Sequence, residues 1–159
     1  MRRPLFALLA LSVVSAIAVS VAWATMGSGF TATPLARGAG GEFDIKGEAL
    51  RFKLMAKDST DVALVNGKLA VGGYTGWHGH AAASLVVVKT GQITSYAPGK
   101  KGCEVSVHGA GTTFVHPEGP HNFVNTAAGE TEIYIIYFVP AGGSPAPIDV
   151  TPAPAGCPA

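Results

Sequence analysis

His78, His80, His108, His116 and His121 are the only histidines of the chain, and they fall in a single stretch of it. Alternate side chains of an extended strand share a face, so His78 and His80 of the His78-Gly79-His80 tripeptide point the same way. Ser84 keeps that parity if the strand is unbroken. Two imidazoles from one strand and a third from another make a tripod with open positions, a donor set suited to a first-row divalent metal. The competing reading of such a tripeptide is a solvated surface turn. Its setting argues against that: it follows Gly72-Gly73, precedes the apolar run Leu85 to Val88, and has a second imidazole-bearing turn about 40 residues later, spacing that a barrel can close face to face. There are no paired carboxylates, no nucleophile elbow and no Gly-rich phosphate loop, so any catalysis would have to come from the metal.

The elements that must position these residues read as strands. No long 3.6-residue periodicity occurs; the runs are short and alternating or β-branched, at Leu50 to Leu54, Val62 to Val71, Leu85 to Val88, Thr113 to Val115 and Ile133 to Val139. Turn signals at Gly72-Gly73, Ala97-Pro98-Gly99, Gly109-Ala110-Gly111, Pro117-Glu118-Gly119 and Ala128-Gly129 predict antiparallel hairpins in an all-β sandwich or barrel. Asn66-Gly67 is either a tight hairpin turn or part of one twisted strand from about Asp61 to Val71; the short flanking arms favour the strand. Both faces of Ile133 to Val139 are apolar, which predicts a strand covered on both sides.

The histidine spacing resembles that of the cupins. Gly72, five residues, His78-Gly79-His80, three residues, Ser84, six residues and Gly91 are similar to the first cupin motif, which normally has glutamate at the Ser84 position. Gly111, five residues, Pro117-Glu118-Gly119, one residue, His121, three residues and Asn125 are similar to the second, which normally has two residues before its histidine. The resemblance runs from about Ala49 to Val139. It implies a double-stranded β-helix, or jelly-roll barrel, with one metal ion near its middle on His78, His80 and His121 and the remaining positions open to water, substrate or oxygen. Ser84 is a poor metal ligand at neutral pH, and the contraction before His121 leaves His116, just before Pro117, as the alternative third ligand. His108 is expected at a solvated hairpin end. Pro117, Asn125 and the motif glycines are expected to hold turns. Trp77, Leu85, Val87, Phe114, Phe123 and Tyr134 are expected in the barrel core, and Ser84 or Tyr134 is placed to orient a ligand.

Around this barrel, over residues 41–139, the chain divides simply. Arg2 and Arg3 precede an apolar run ending in Ala22-Trp23-Ala24, the pattern of a signal peptide over residues 1–24 cleaved after Ala24. An uncleaved membrane anchor is the alternative. Residues 25–40 are small, polar and Gly-rich, as in a flexible linker; residues 140–159 form a Pro-rich tail. The expected location is therefore secreted or extracytoplasmic, where Cys103 and Cys157 would pair and pin the tail to the domain. Without the leader, nine Lys/Arg stand against ten Asp/Glu. That balance gives no electrostatic reason to expect nucleic acid or an anionic membrane as partner.

Three functions fit: a binding module for a small molecule or for the metal itself; a metal-dependent enzyme, a dioxygenase, oxidoreductase or isomerase, on a small organic substrate; and a purely structural barrel whose histidines are relics or bind zinc loosely. The divalent transition metal is Fe, Mn, Zn, Ni or Cu on this evidence. Residues 41–57 offer an edge strand through which a homodimer could form.

Overall fold

The computed structural model describes residues 27–158 apart from Leu50, Ala82 and Pro117; residues 1–24, where a signal peptide is expected, lie outside the described residues. Ten strands and no helix are found among the described residues: β1 Ser28–Gly47, β2 Phe52–Tyr74, β3 His78–Gly79, β4 Ser84–Thr90, β5 Gln92–Gly99, β6 Gly102–Gly109, β7 Thr113–His116, β8 Asn122–Asn125, β9 Thr131–Pro140 and β10 Ile148–Asp149. Hydrogen bonding runs β6-β5-β8-β2-β9-β4-β7, with β1 added along β2 and a small β10-β3 pair beside them. All pairings are antiparallel, and the sheet curls into a nearly closed barrel. It stays open between β6 and β7, the two ends of the strand order.

Alternation fills the interior. Ala63, Val65 and Leu69 from β2, Val86 and Val88 from β4, and Ile133, Ile135, Tyr137 and Val139 from β9 pack with Ile93 and Phe123. Trp77, Phe123 and, partly buried, Phe114 sit inside as expected. Leu85, Val87 and Tyr134 do not: they are half-buried on the outer face. Ser84 faces inward and is buried, so its parity carries Val86 and Val88 to the core instead. In β9 the same rule places Tyr137 inside and Tyr134 outside.

β2 passes through Asn66-Gly67 without turning, pairing with β9 from Thr60 to Leu69. Gly67 is needed there for close approach, since a Cβ would stand 2.9 Å from Ile133 Cγ1 and 3.1 Å from Phe30 Cε2. Residues 28–40, expected as a flexible linker, form most of β1. Its small, Gly-rich sequence buries little, yet its backbone pairs with β2 from Ser28 to Gly47, with shifts of register at Pro34/Ala36 and around Gly41. An edge strand tolerates proline and bulges because one row of its backbone groups faces no neighbour. Ion pairing of Arg37 with Asp61 at 2.6 Å adds a side-chain tie.

The Pro-rich tail is docked. Cys103 on β6 and Cys157 form a disulfide across a sequence separation of 54. Ile148 and Asp149 pair with Gly79 and His78, Val150 N donates to Trp77 O at 2.9 Å, and Trp77 Nε1 donates to Pro158 O at 2.8 Å. Asn125 knots the opposite end: its Nδ2 donates to Leu69 O, Ala70 O and Gly129 O, while Oδ1 accepts from Ala127 N and Thr131 Oγ1.

Candidate metal centre

Two main-chain hydrogen bonds lock the histidine-bearing segments together. His78 N donates to His121 O at 3.0 Å and His121 N donates to His78 O at 2.8 Å, one antiparallel bridge between β3 and the residue entering β8. Side chains of directly bridged residues lie on one face, so His121 is set beside His78, and His80 joins them by parity along its own segment. Ring centroids are 4.0 Å apart for His78 and His121, 4.9 Å for His78 and His80, and 5.3 Å for His80 and His121. The three imidazoles offer nitrogens that all lie within 4.8 Å of one another.

Each ring is oriented from behind. His78 Nδ1 is 2.8 Å from Gly76 O, His121 Nδ1 is 2.8 Å from Gly119 O, and His80 Nδ1 is 3.1 Å from Pro145 O. A carbonyl oxygen only accepts, so each Nδ1 carries the proton and each Nε2 presents a lone pair when the ring is neutral. Burial pushes the His78 pKa below its usual value; burial and then the neighbouring His78 bring His80 down to about 4; burial and then His78 and His116 lower His121 strongly. The rings are therefore neutral at pH 7. His121 Nε2 and His78 Nε2 then face each other at 2.9 Å with no proton to share. Lone pairs converging at this spacing, each backed by a carbonyl, fit a cation.

The rings line a cavity of about 230 Å³ walled by Val65, Val86, Phe123, Ile135 and Tyr137 and roofed by tail residues Ser144 to Pro147. Among the described residues no Asp, Glu, Lys or Arg lines it. Tyr137, absent from the sequence-based candidates, stands 4.9 Å from the His80 ring, and burial raises its pKa to about 12. A second hollow of about 380 Å³ opens through the β6–β7 gap and reaches His116 and His121 from the other side, past Glu104 and Glu118.

His116, the alternative third ligand that the short second motif left open, stands beside His121, with ring centroids 3.5 Å apart. His108 is outside the cluster. It stacks on Phe114 at 3.7 Å and its Nε2 lies 3.2 Å from Ser95 Oγ, so it is half-buried in the second hollow, where a solvated hairpin end was expected. Pro117 lies outside the described residues.

No family model matches the chain, and no curated protein matches it in sequence. Solved structures do match. Peruvianin-I, a cysteine peptidase from Thevetia peruviana latex, is similar over 77% of this chain and 67% of its own, with TM-score 0.53 and 22% identity. Oxalate oxidase in complex with glycolate is similar over 77% of this chain and 55% of its own, with TM-score 0.52 and 21% identity. Oxalate decarboxylase from Bacillus subtilis, described for its Mn(II) centres, matches over 57% of this chain and 24% of its own, with TM-score 0.50 and 22% identity. The chain thus spans about half of the oxidase and a quarter of the decarboxylase. At this identity the likeness defines the fold, and the fold is the cupin barrel. Within that class this chain is a small barrel with a disulfide-pinned tail, a three-histidine cluster that can hold a metal ion, and a serine in its first motif where a carboxylate is usual.

Proposed function

We propose that the protein is an exported, cupin-type barrel that holds one divalent metal ion on His78, His80 and His121 and uses it to bind a small organic anion. The observation that carries this reading is the convergence of three imidazoles whose Nδ1 atoms are all tied to backbone carbonyls, which leaves the Nε2 lone pairs for a cation. A bound divalent ion supplies a Lewis-acidic positive charge to an oxygen donor. The chain's own residues do the rest: neutral ligands leave that charge uncompensated, the apolar walls exclude water, and about 230 Å³ limits the ligand to a small molecule. Binding is favoured over catalysis because no carboxylate or amine lines the cavity among the described residues, and Tyr137 stays protonated far above neutral pH.

Export is supported by the disulfide, which persists in oxidising compartments. A homodimer is supported by the outer face of the sheet. Leu64, Ile136, Leu85 and Val115 lie in one cross-strand row over β2, β9, β4 and β7, the first three half-buried and Val115 71% exposed.

Metal analysis by mass spectrometry on untagged protein from its own host tests the reading. About one divalent ion per chain, lost when His78→Ala is combined with His80→Ala, is the expected result. Full metal content in that double variant would place the ion elsewhere.

A further inference from the structure

Resting on that reading, we infer that His116 is a fourth metal ligand, so that the centre is built of four neutral imidazoles. Ser84 and His116 are direct partners across β4 and β7, and direct partners in an antiparallel pair project to the same face. Ser84 is buried and inward-facing, so the register delivers the His116 ring into the cavity over the one inward position of the first motif that has only a hydroxyl to offer. The ring touches that of His121, 3.5 Å away between centroids, lies 6.3 Å from that of His80, and is 6% exposed.

Packing alone does not account for it. Among the described residues neither nitrogen of His116 has a hydrogen-bond partner, whereas His78, His80 and His121 each have a carbonyl behind Nδ1. No fully buried side-chain nitrogen or oxygen lacks a partner among the described residues, so the His116 nitrogens are not sealed in the core; the ring lines both the metal-site cavity and the second hollow. An inward imidazole with a free lone pair, in contact with His121 and 6.3 Å from the His80 ring between centroids, is placed to donate to the same ion. Four imidazoles and no carboxylate favour copper, nickel, zinc or iron over manganese, which prefers oxygen donors.

The test uses the untagged full-length chain. Loaded with Cu(II), its pulsed EPR spectrum counts the coordinated imidazoles; competition titration with Zn(II) and Mn(II) measures affinity; circular dichroism checks the fold. Four imidazoles are expected in the wild type and three in His116→Ala, with Zn(II) affinity about a hundredfold weaker. Adding Ser84→Glu to His116→Ala is expected to restore affinity and shift it toward Mn(II), because a carboxylate then supplies the missing donor. Three imidazoles in the wild type, or a loss under about threefold in a folded His116→Ala, overturns the fourth ligand while leaving the three-histidine reading intact. If His116→Ala does not fold, the wild-type imidazole count decides. No stoichiometric metal in the wild type overturns both.

Discussion

Replacing Cys103 and Cys157 together by serine should cost the domain about 4 kcal/mol, the entropy released when an unfolded chain loses a closed loop with the 54-residue separation seen here. Against a total stability of order 5–15 kcal/mol that is a large share. For a domain of this size it corresponds to a fall in melting temperature of roughly 10–15 °C. The measurement is calorimetric unfolding of the oxidised wild type and of the double serine variant, both freed of metal by a chelator so that ion binding does not enter. A second round at saturating Zn(II) then isolates the site. The tail that the bridge pins supplies the Pro145 carbonyl behind His80 and the β10 pairing beside His78. Losing a partner behind a ligand typically weakens metal binding by about 10–100-fold, so the variant should also gain less from Zn(II) than the wild type. A fall below about 3 °C without metal would refute the loop-closure argument. Equal Zn(II) stabilisation of both proteins would refute the tail's part in holding the site.

Acid should destabilise the metal-free barrel. His80 and His116 titrate near 4 in the fold against about 6.5 unfolded, so the unfolded chain binds more protons in that window and stability falls as pH drops from 6.5 to 4. Denaturant midpoints at pH 7 and pH 5 in chelator check this; equal midpoints would contradict it. Asn125→Ala removes five hydrogen bonds at a 2% exposed position and should cost about 3–5 kcal/mol, read by the same titration; a loss under about 1 kcal/mol would mean water replaces the amide. Leu85→Lys with Ile136→Lys on the outer row should turn a dimer into a folded monomer by light scattering, and a monomeric wild type would count against the dimer.

The three histidines were legible because their placement depends on local rules: strand parity joins His78 to His80, and a spaced motif flags His121. His116 was expected only in place of His121, and its position beside that ring was not legible. It follows from the register of β4 against β7, which no local signal reports. The inside-outside assignment of β4 and β9 failed because both faces are apolar, so periodicity alone cannot choose between Leu85/Val87 and Val86/Val88. A usable signal did exist: Ser84 was assigned to the histidine face, and the same parity carried two residues onward selects Val86 and Val88. β1 was misread as a linker because its strand character comes from backbone pairing with β2, and its Gly, Ala and Thr side chains contribute little.

The chemistry of the centre turns on charge. In the comparison suggested by the fold, a carboxylate in the first motif would cancel part of the metal's charge; here Ser84 stands there, and every imidazole in the cluster is neutral at pH 7. A divalent ion so held is an unbalanced charge in a cavity with apolar walls, where water screens it poorly. A small anion that enters gains from that charge, whereas a neutral molecule of the same size gains only from packing. Glycolate is a suitable small-anion probe, with ethylene glycol as its uncharged counterpart. Calorimetric titration of Zn(II)-loaded protein should detect glycolate and not ethylene glycol, and chelation of the metal should abolish the signal. Glycolate binding that survives chelation would move the anion site off the metal. Equal binding of the two probes would show that the ion's charge is balanced by a group other than the ligand.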